Sequence, residues 1–279
     1  MRQTRDSILV SWYLGIPCSR KTATPMNIWR HTPGREQLYR QSLRSAARMP
    51  DCAECPVRDH SLCAGMQPQD LIRITEKTDL LETGAGQALF YEGDTARSFF
   101  TIRRGVVRLV RSFPDGRRSV VGFLHGGDFF GGGFGRKTYA TTAEAVTPLE
   151  YCRISVNDLE TLAKTHPNLA HQMAEMASDR LHAADDHIVL LSRKTALEKV
   201  AAFLLASSEW VSNAHQFDLP MSRSDIADYL GLTIETVSRT LTKLTDSSVI
   251  ALPTPQYVSI LDILELTALA RPEAEIFDT

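Results

Sequence analysis

Three cysteines, Cys52, Cys55 and Cys63, form a C-x2-C-x7-C arrangement, and Cys152 follows after 88 intervening residues. Four thiolates are what an all-cysteine iron–sulfur cluster or a structural zinc site requires. The C-x2-C pair is a chelating unit because both sulfurs can reach one centre across a tight turn. Pro56 and the lack of apolar periodicity around it indicate a loop. On spacing alone iron–sulfur and zinc both stay open, as do free or redox-active thiols. Cys18 is left over and stays outside the set. His60, between Cys55 and Cys63, reads as a solvated loop residue rather than a ligand.

A second group of residues has the chemistry to read DNA. Glu235, Ser238 and Arg239 are spaced by 3 and 4, which puts all three on one side of a helix near its N-terminus. Arg can bond O6 and N7 of guanine, Glu can accept from N4 of cytosine, and Ser can reach either strand. The rival reading is a solvated i,i+4 ion pair, worth a few tenths of a kcal/mol. Thr233 and Thr236, in the first turn, complete the candidate contact set.

The elements that must hold these residues are legible from period and turn chemistry. Ser222-Arg-Ser-Asp225 is a capping box that opens a short helix through Leu230. Gly231 can stop that helix in the left-handed conformation. A second helix then runs from near Thr233 to about Asp246, with Val237, Leu241 and Leu244 inward. That is a helix-turn-helix. Val249 to Leu252 and Tyr257 to Ile260 follow as a hairpin wing. Upstream, from Leu80 to about Ile154, aromatic and β-branched runs recur every 8–12 residues between Asp-Gly and Gly-Gly turns, as in a jelly-roll-like β-domain. From Asn168 to Ser208 there is no Gly or Pro, and the period becomes helical. Leu181, Ala184, Ile188 and Leu191 make an a/d stripe, read as a homodimer seam. The stripe packing on the chain's own β-domain is the alternative.

The fold class is therefore α+β: an N-terminal β-roll, a long dimerisation helix and a C-terminal winged helix-turn-helix. The expected boundaries are a basic extension over 1–48, a cysteine-containing segment over 49–79, the β-roll over 80–165, the dimerisation helix and hinge over 168–207, the winged helix over 208–267 and a tail over 268–279.

Composition limits the remaining classes. The 279 residues are 43% hydrophobic and 23% charged, with a net charge of -2, which is ordinary for a globular protein. No apolar run approaches the roughly 18 residues of a membrane span, so a cytoplasmic protein without membrane contact is expected. Five cysteines are too few and too uneven for a secreted disulfide scaffold. Residues 1–50 carry nine Arg and Lys against Asp6 and Glu36, a local balance of +7. That start reads as a flexible tail or an upstream extension before Met26 or Met49, with a transit peptide or a nucleic-acid arm as alternatives.

The stretch from Met221 to Arg239 resembles the winged helix of the CRP/FNR superfamily of bacterial regulators, closest to its FNR and FnrN-type branch with FixK relatives. The resemblance covers about residues 50–265. It implies a cyclic-nucleotide-binding-like β-roll, a homodimer, RNA polymerase as a partner, and a DNA site near TTGAT-N4-ATCAA read by Glu235, Ser238 and Arg239. It also implies that Cys52, Cys55, Cys63 and Cys152 hold an oxygen-labile [4Fe-4S] cluster. Ser247-Ser248 departs from the family, where a glycine usually precedes the wing.

Cyclic nucleotide is not expected as a ligand. Its phosphate would need an Arg-Ser pair, and residues 132–142 offer only Arg136-Lys-Thr138. No nucleophile–base pair can be placed, so no enzyme is expected. The implied switch is a cluster that favours a DNA-binding dimer, with Asp185 and Asp186 repelling across the seam when it is lost. The alternatives are a FixK-like regulator without a functional cluster and an iron–sulfur redox protein.

Overall fold

The computed structural model describes residues 50–52, 54–64, 66–132, 135–210 and 215–271. The basic extension, Cys18 and the last eight residues lie outside the described residues. The chain from Pro50 forms a cysteine loop with one 3-10 turn, Arg58–His60, and then α1, Pro68–Thr75. Eight strands follow: β1 Thr78–Thr83, β2 Ala88–Phe90, β3 Ser98–Arg104, β4 Val107–Ser112, β5 Arg118–Leu124, β6 Phe129–Gly131, β7 Thr142–Ala145 and β8 Leu149–Ser155. They make two antiparallel sheets, ordered β1-β8-β3-β6 and β2-β7-β4-β5. Leu81, Phe100, Ile102, Val107, Leu124 and Tyr151 fill the space between them. The β-roll expected between Leu80 and about Ile154 is present.

Strand alternation decides where Cys152 goes. Tyr151 points into the sandwich core, so Cys152 and Ile154 share the opposite face of β8. On one side β8 pairs Cys152 with Leu80, and on the other with Thr101. A fourth thiol is thus presented from the centre of a rigid sheet.

After the short helix α2, Val156–Thr165, the long helix α3 spans Pro167–Arg193, 27 residues and roughly 40 Å. No Gly or Pro stands where it ends, yet the helix breaks at Lys194–Thr195. Thr195 caps α4, Ala196–Glu209, through a capping box with Glu198. Helix α4 then packs with the two helices that follow it, its Val200, Phe203 and Leu204 buried among Ile226, Leu230 and Leu241. The core of the winged helix therefore begins well before residue 208, and α3 and α4 are separate elements.

The winged helix follows the expected plan. Helix α5, Arg223–Leu230, is capped by Ser222 and ended by Gly231 at φ 62°. Helix α6, Ile234–Asp246, is capped by Thr233 and buries Val237, Leu241 and Leu244. The wing strands β10, Ile250–Thr254, and β11, Tyr257–Ile260, gain a third partner upstream, β9, Gln216–Asp218. Helix α7, Ile263–Ala270, closes the domain. The turn before the wing forms without glycine because Ser248 itself adopts φ 58°, among the described residues the sole non-glycine with positive φ. A left-handed non-glycine residue costs about 1–2 kcal/mol. Ser248→Gly is therefore expected to raise stability by about 1 kcal/mol, read from the denaturation midpoint at unchanged slope. A lowered midpoint would mean the serine hydroxyl contributes more than the strain costs.

Candidate functional site

Cys52, Cys55, Cys63 and Cys152 line one cavity of about 40 Å³, between the cysteine loop and the outer face of β3 and β8. Residues 100 positions apart in sequence meet there because the loop folds back over the sheet. Leu62 and Ile74 anchor it in an apolar cluster with Phe99, Phe129, Ile154 and Leu169, the last from the first turns of α3. The Thr75 hydroxyl lies 3.0 Å from Cys52 Sγ and donates to Leu71 O at 2.6 Å. Burial, with the neighbouring Cys52 and Cys55 sulfurs, pushes the Cys63 thiol up to about 12. Burial likewise pushes Cys152 up to about 12, against the pull of Arg103. The guanidinium of Arg103 also lines the cavity, and its side chain is 10% exposed. Its Nε is 3.4 Å from Glu150 but makes no hydrogen bond.

The loop is seated on the turn after β5. A Cβ on Gly126 would lie 3.1 Å from Val57 Cγ1, and one on Gly127, at φ 97°, would lie 2.6 Å from His60 Cδ2 and 2.8 Å from His60 O. His60 is thus a packing residue at this seat, and it is absent from the cavity lining. Gly127→Ala is expected to push the loop away and speed thiol-reagent labelling of Cys63 on the order of tenfold. Gly116→Ala has positive φ but open space around it, so it carries the backbone strain alone and should label as wild type. Equal labelling of both variants would show that the seat does not hold the loop.

A second site lies on α6. Glu235, Ser238 and Arg239 are all exposed on its outer face. The sequence reading of one side near the helix N-terminus is what the backbone presents. Glu235 is held below the usual carboxylate value, first by its own backbone N–H, then by Thr233 and Arg239, so it is an ionised acceptor. Arg239 Nε donates to Glu235 O at 3.3 Å and needs only a rotamer change to reach outward. Thr233 Oγ1 accepts from Thr236 N at 3.2 Å, so these two residues build the helix cap. Any DNA contact they make is additional to that.

Leu181, Ala184, Ile188 and Leu191 lie along the exposed surface of α3. The three large ones are 61%, 63% and 41% exposed, and the neighbouring Val189 is 52% exposed. The alternative of packing on the chain's own β-domain fails for these side chains. An apolar stripe of this exposure on a single chain marks a partner surface.

Two family descriptions match the chain in succession: a cyclic nucleotide-binding domain over residues 81–166 and a Crp-like helix-turn-helix domain over residues 198–269. The nitrogen fixation regulation protein FixK of Bradyrhizobium diazoefficiens is 38% identical over 224 residues, 78% of this chain and 93% of that protein. The chain belongs to the CRP/FNR family of transcription regulators. The transcriptional activator FnrL of Cereibacter sphaeroides is 33% identical over 80% of this chain and 93% of its own length. Among solved structures, FixK2 from Bradyrhizobium japonicum superposes with a TM-score of 0.66 at 32% identity, covering 69% of this chain and 96% of that one. The relatives are regulators, which places this chain outside the enzymes. CRP-family regulators bind DNA and act as dimers. Among the described residues no helix is long and apolar enough to cross a membrane.

Proposed function

We propose that this CRP/FNR regulator is oxygen- or redox-responsive and binds a TTGA palindrome as a homodimer when an iron–sulfur cluster is held by Cys52, Cys55, Cys63 and Cys152. The observation that carries the reading is the meeting of all four thiols at one cavity. The donor set fits the group. Soft thiolates suit iron–sulfur or zinc, and the buried Arg103 guanidinium beside them suits an occupant of negative overall charge. A single tetrahedral zinc would need sulfurs roughly 3.8 Å apart. The same four thiolates could hold such a zinc, so metal and sulfide content decide between the two. A cluster of several metal atoms takes each thiolate at a different atom.

Bound there, the group supplies an oxygen-labile cross-link between the loop and β8. The chain does the rest. Leu62 and Cys63 share their apolar cluster with Leu169, Met173 and Met176 of α3, so an ordered loop braces the start of that helix. His166, the cap residue before α3, pairs with Asp70 of α1 at 3.3 Å and ties the same elements. Burying the stripe of α3 gains about 1–2 kcal/mol for each half-exposed Leu or Ile, or roughly 6–12 kcal/mol for the six in a dimer. Association costs about 4–15 kcal/mol. The seam alone is therefore near balance, which lets a modest change at the loop switch the population. Exposed Asp185 and Asp186 flank it and lower the balance further.

Anaerobic purification with iron, sulfide and absorbance measured tests this reading. About four irons and four sulfides per chain are expected, lost in air together with operator binding. Zinc without sulfide would make the site structural. Neither metal, with operator binding intact, would make the protein a FixK-like regulator without a cluster.

A further inference from the structure

Only two residues, Lys194 and Thr195, join the dimer helix α3 to the reading domain. Domains joined by a short non-helical link move relative to one another unless a substantial interface holds them. Here the interface comes from the β-roll of the same chain: Val110, Val120 and Phe123 of β4 and β5 join the apolar core of the reading domain, and an ionic cluster beside them fixes its position. Arg108 of β4 and Arg118 of β5 both donate to Asp225 Oδ1, each at 2.8 Å, through Nη1 and Nη2. Arg118 Nε also donates to Asp228 Oδ2 at 2.8 Å, and Arg108 is held from behind by Glu144 of β7 at 2.8 Å. The Asp225 side chain is 3% exposed. Its other oxygen, Oδ2, accepts from Ser222 N and Ser222 Oγ, so one carboxylate closes the cap of α5 and the bridge to the β-roll.

The same helix is gripped on its far end by α3. His187 Nε2 donates to Tyr229 O at 2.9 Å, and the two rings stack at 4.1 Å. Phe123 of β5 packs on Tyr229 at 5.4 Å. These contacts leave the outer face of α6 and the apolar stripe of α3 exposed together.

We propose that Arg108 and Arg118 are positioning residues for DNA recognition: by clamping Asp225 and Asp228 to the β-roll they set the angle at which each reading helix leaves the dimer, and so the half-site spacing the regulator accepts. The proposal rests on the reading of the site as a two-half-site palindrome. Breaking a buried ion pair from one side also leaves the other charge uncompensated, so polar rather than apolar replacements are the right probe.

The test compares wild type, the Arg108→Gln/Arg118→Gln double variant and the milder Asp228→Asn. Anaerobically purified protein is titrated with duplexes carrying TTGAT-N4-ATCAA and the same site with one base pair added or removed. Melting temperature checks folding, and trypsin cleavage after Arg193 or Lys194 reports motion at the link. Wild type is expected to lose on the order of 100-fold on altered spacing, because one base pair shifts and rotates a half-site relative to a rigid pair of readers. The double variant should lose most of that selectivity, bind the best site about tenfold more weakly, and be cleaved faster at the link. Asp228→Asn should fall between. A folded double variant that keeps wild-type selectivity, or binds the best site more tightly, overturns the clamp alone. Wild type indifferent to spacing overturns the two-half-site reading and the proposal with it.

Discussion

Single Ser replacements at Cys52, Cys55, Cys63 or Cys152 are expected to abolish the iron–sulfur chromophore proposed for the anaerobic protein and, with it, operator binding. The loss should be near complete rather than graded, because all four thiols, three from the loop and one from β8, line the same cavity and removal of one leaves a corner open. Cys152→Ser is the most informative of the four. Its side chain sits on the centre of β8, held by pairing on both sides, so the isosteric change should leave the fold intact. Cys18→Ser should leave iron and sulfide unchanged. Iron content, sulfide content and absorbance of each variant decide the matter. An essential Cys18 with a dispensable Cys152 would show that the fourth ligand is misassigned, and intact operator binding in all four variants would separate DNA binding from the cysteines altogether.

Arg239→Ala is expected to weaken binding by about 1–3 kcal/mol per half-site and to lose discrimination at the guanine of TTGA. Both side chains of the pair are exposed and aimed from the same face of α6, and Glu235 is ionised and able to accept from the cytosine paired to that guanine. Glu235→Ala should therefore relax the same base pair, with a gain for substituted sites rather than a uniform loss. A basic residue that meets only phosphate behaves otherwise: its removal weakens all sequences alike and lowers the salt slope. Titration of each variant against TTGA and G-substituted operators at two salt concentrations separates the two cases. Unchanged discrimination in Arg239→Ala would place the reading residue elsewhere on the helix.

The parts of this molecule set by local chemistry could be read before any fold was known. The capping box at Ser222, the left-handed stop at Gly231 and the 3-and-4 spacing of Val237, Leu241 and Leu244 depend on neighbours within a turn, and the helices stand where those signals put them. The β-roll was legible for the same reason, since turn chemistry and alternation act over a few residues. Its short strands β6 and β7, and β9 of the wing, were not, because three or four residues carry too little pattern and are extended only by pairing with distant chain. The break between α3 and α4 was hidden in a run with no Gly or Pro, though Thr195 and Glu198 spelled the cap that marks it.

What the sequence determined by itself is the inventory: four thiols, three polar residues on one helix face, an apolar stripe and two arginines that it gave no reason to single out. Which of these meet was decided by the tertiary structure. Cys152 joins the N-terminal cysteines only because β8 turns that side chain outward and the loop folds over it. Arg108 and Arg118 reach Asp225 only because the winged helix packs against β4 and β5, more than 100 residues away along the chain. Such contacts have no signature in local periodicity. They arise where burial of apolar surface brings distant segments together, and the cost of burying a charge then selects, from the polar groups within reach, the partners that can satisfy it.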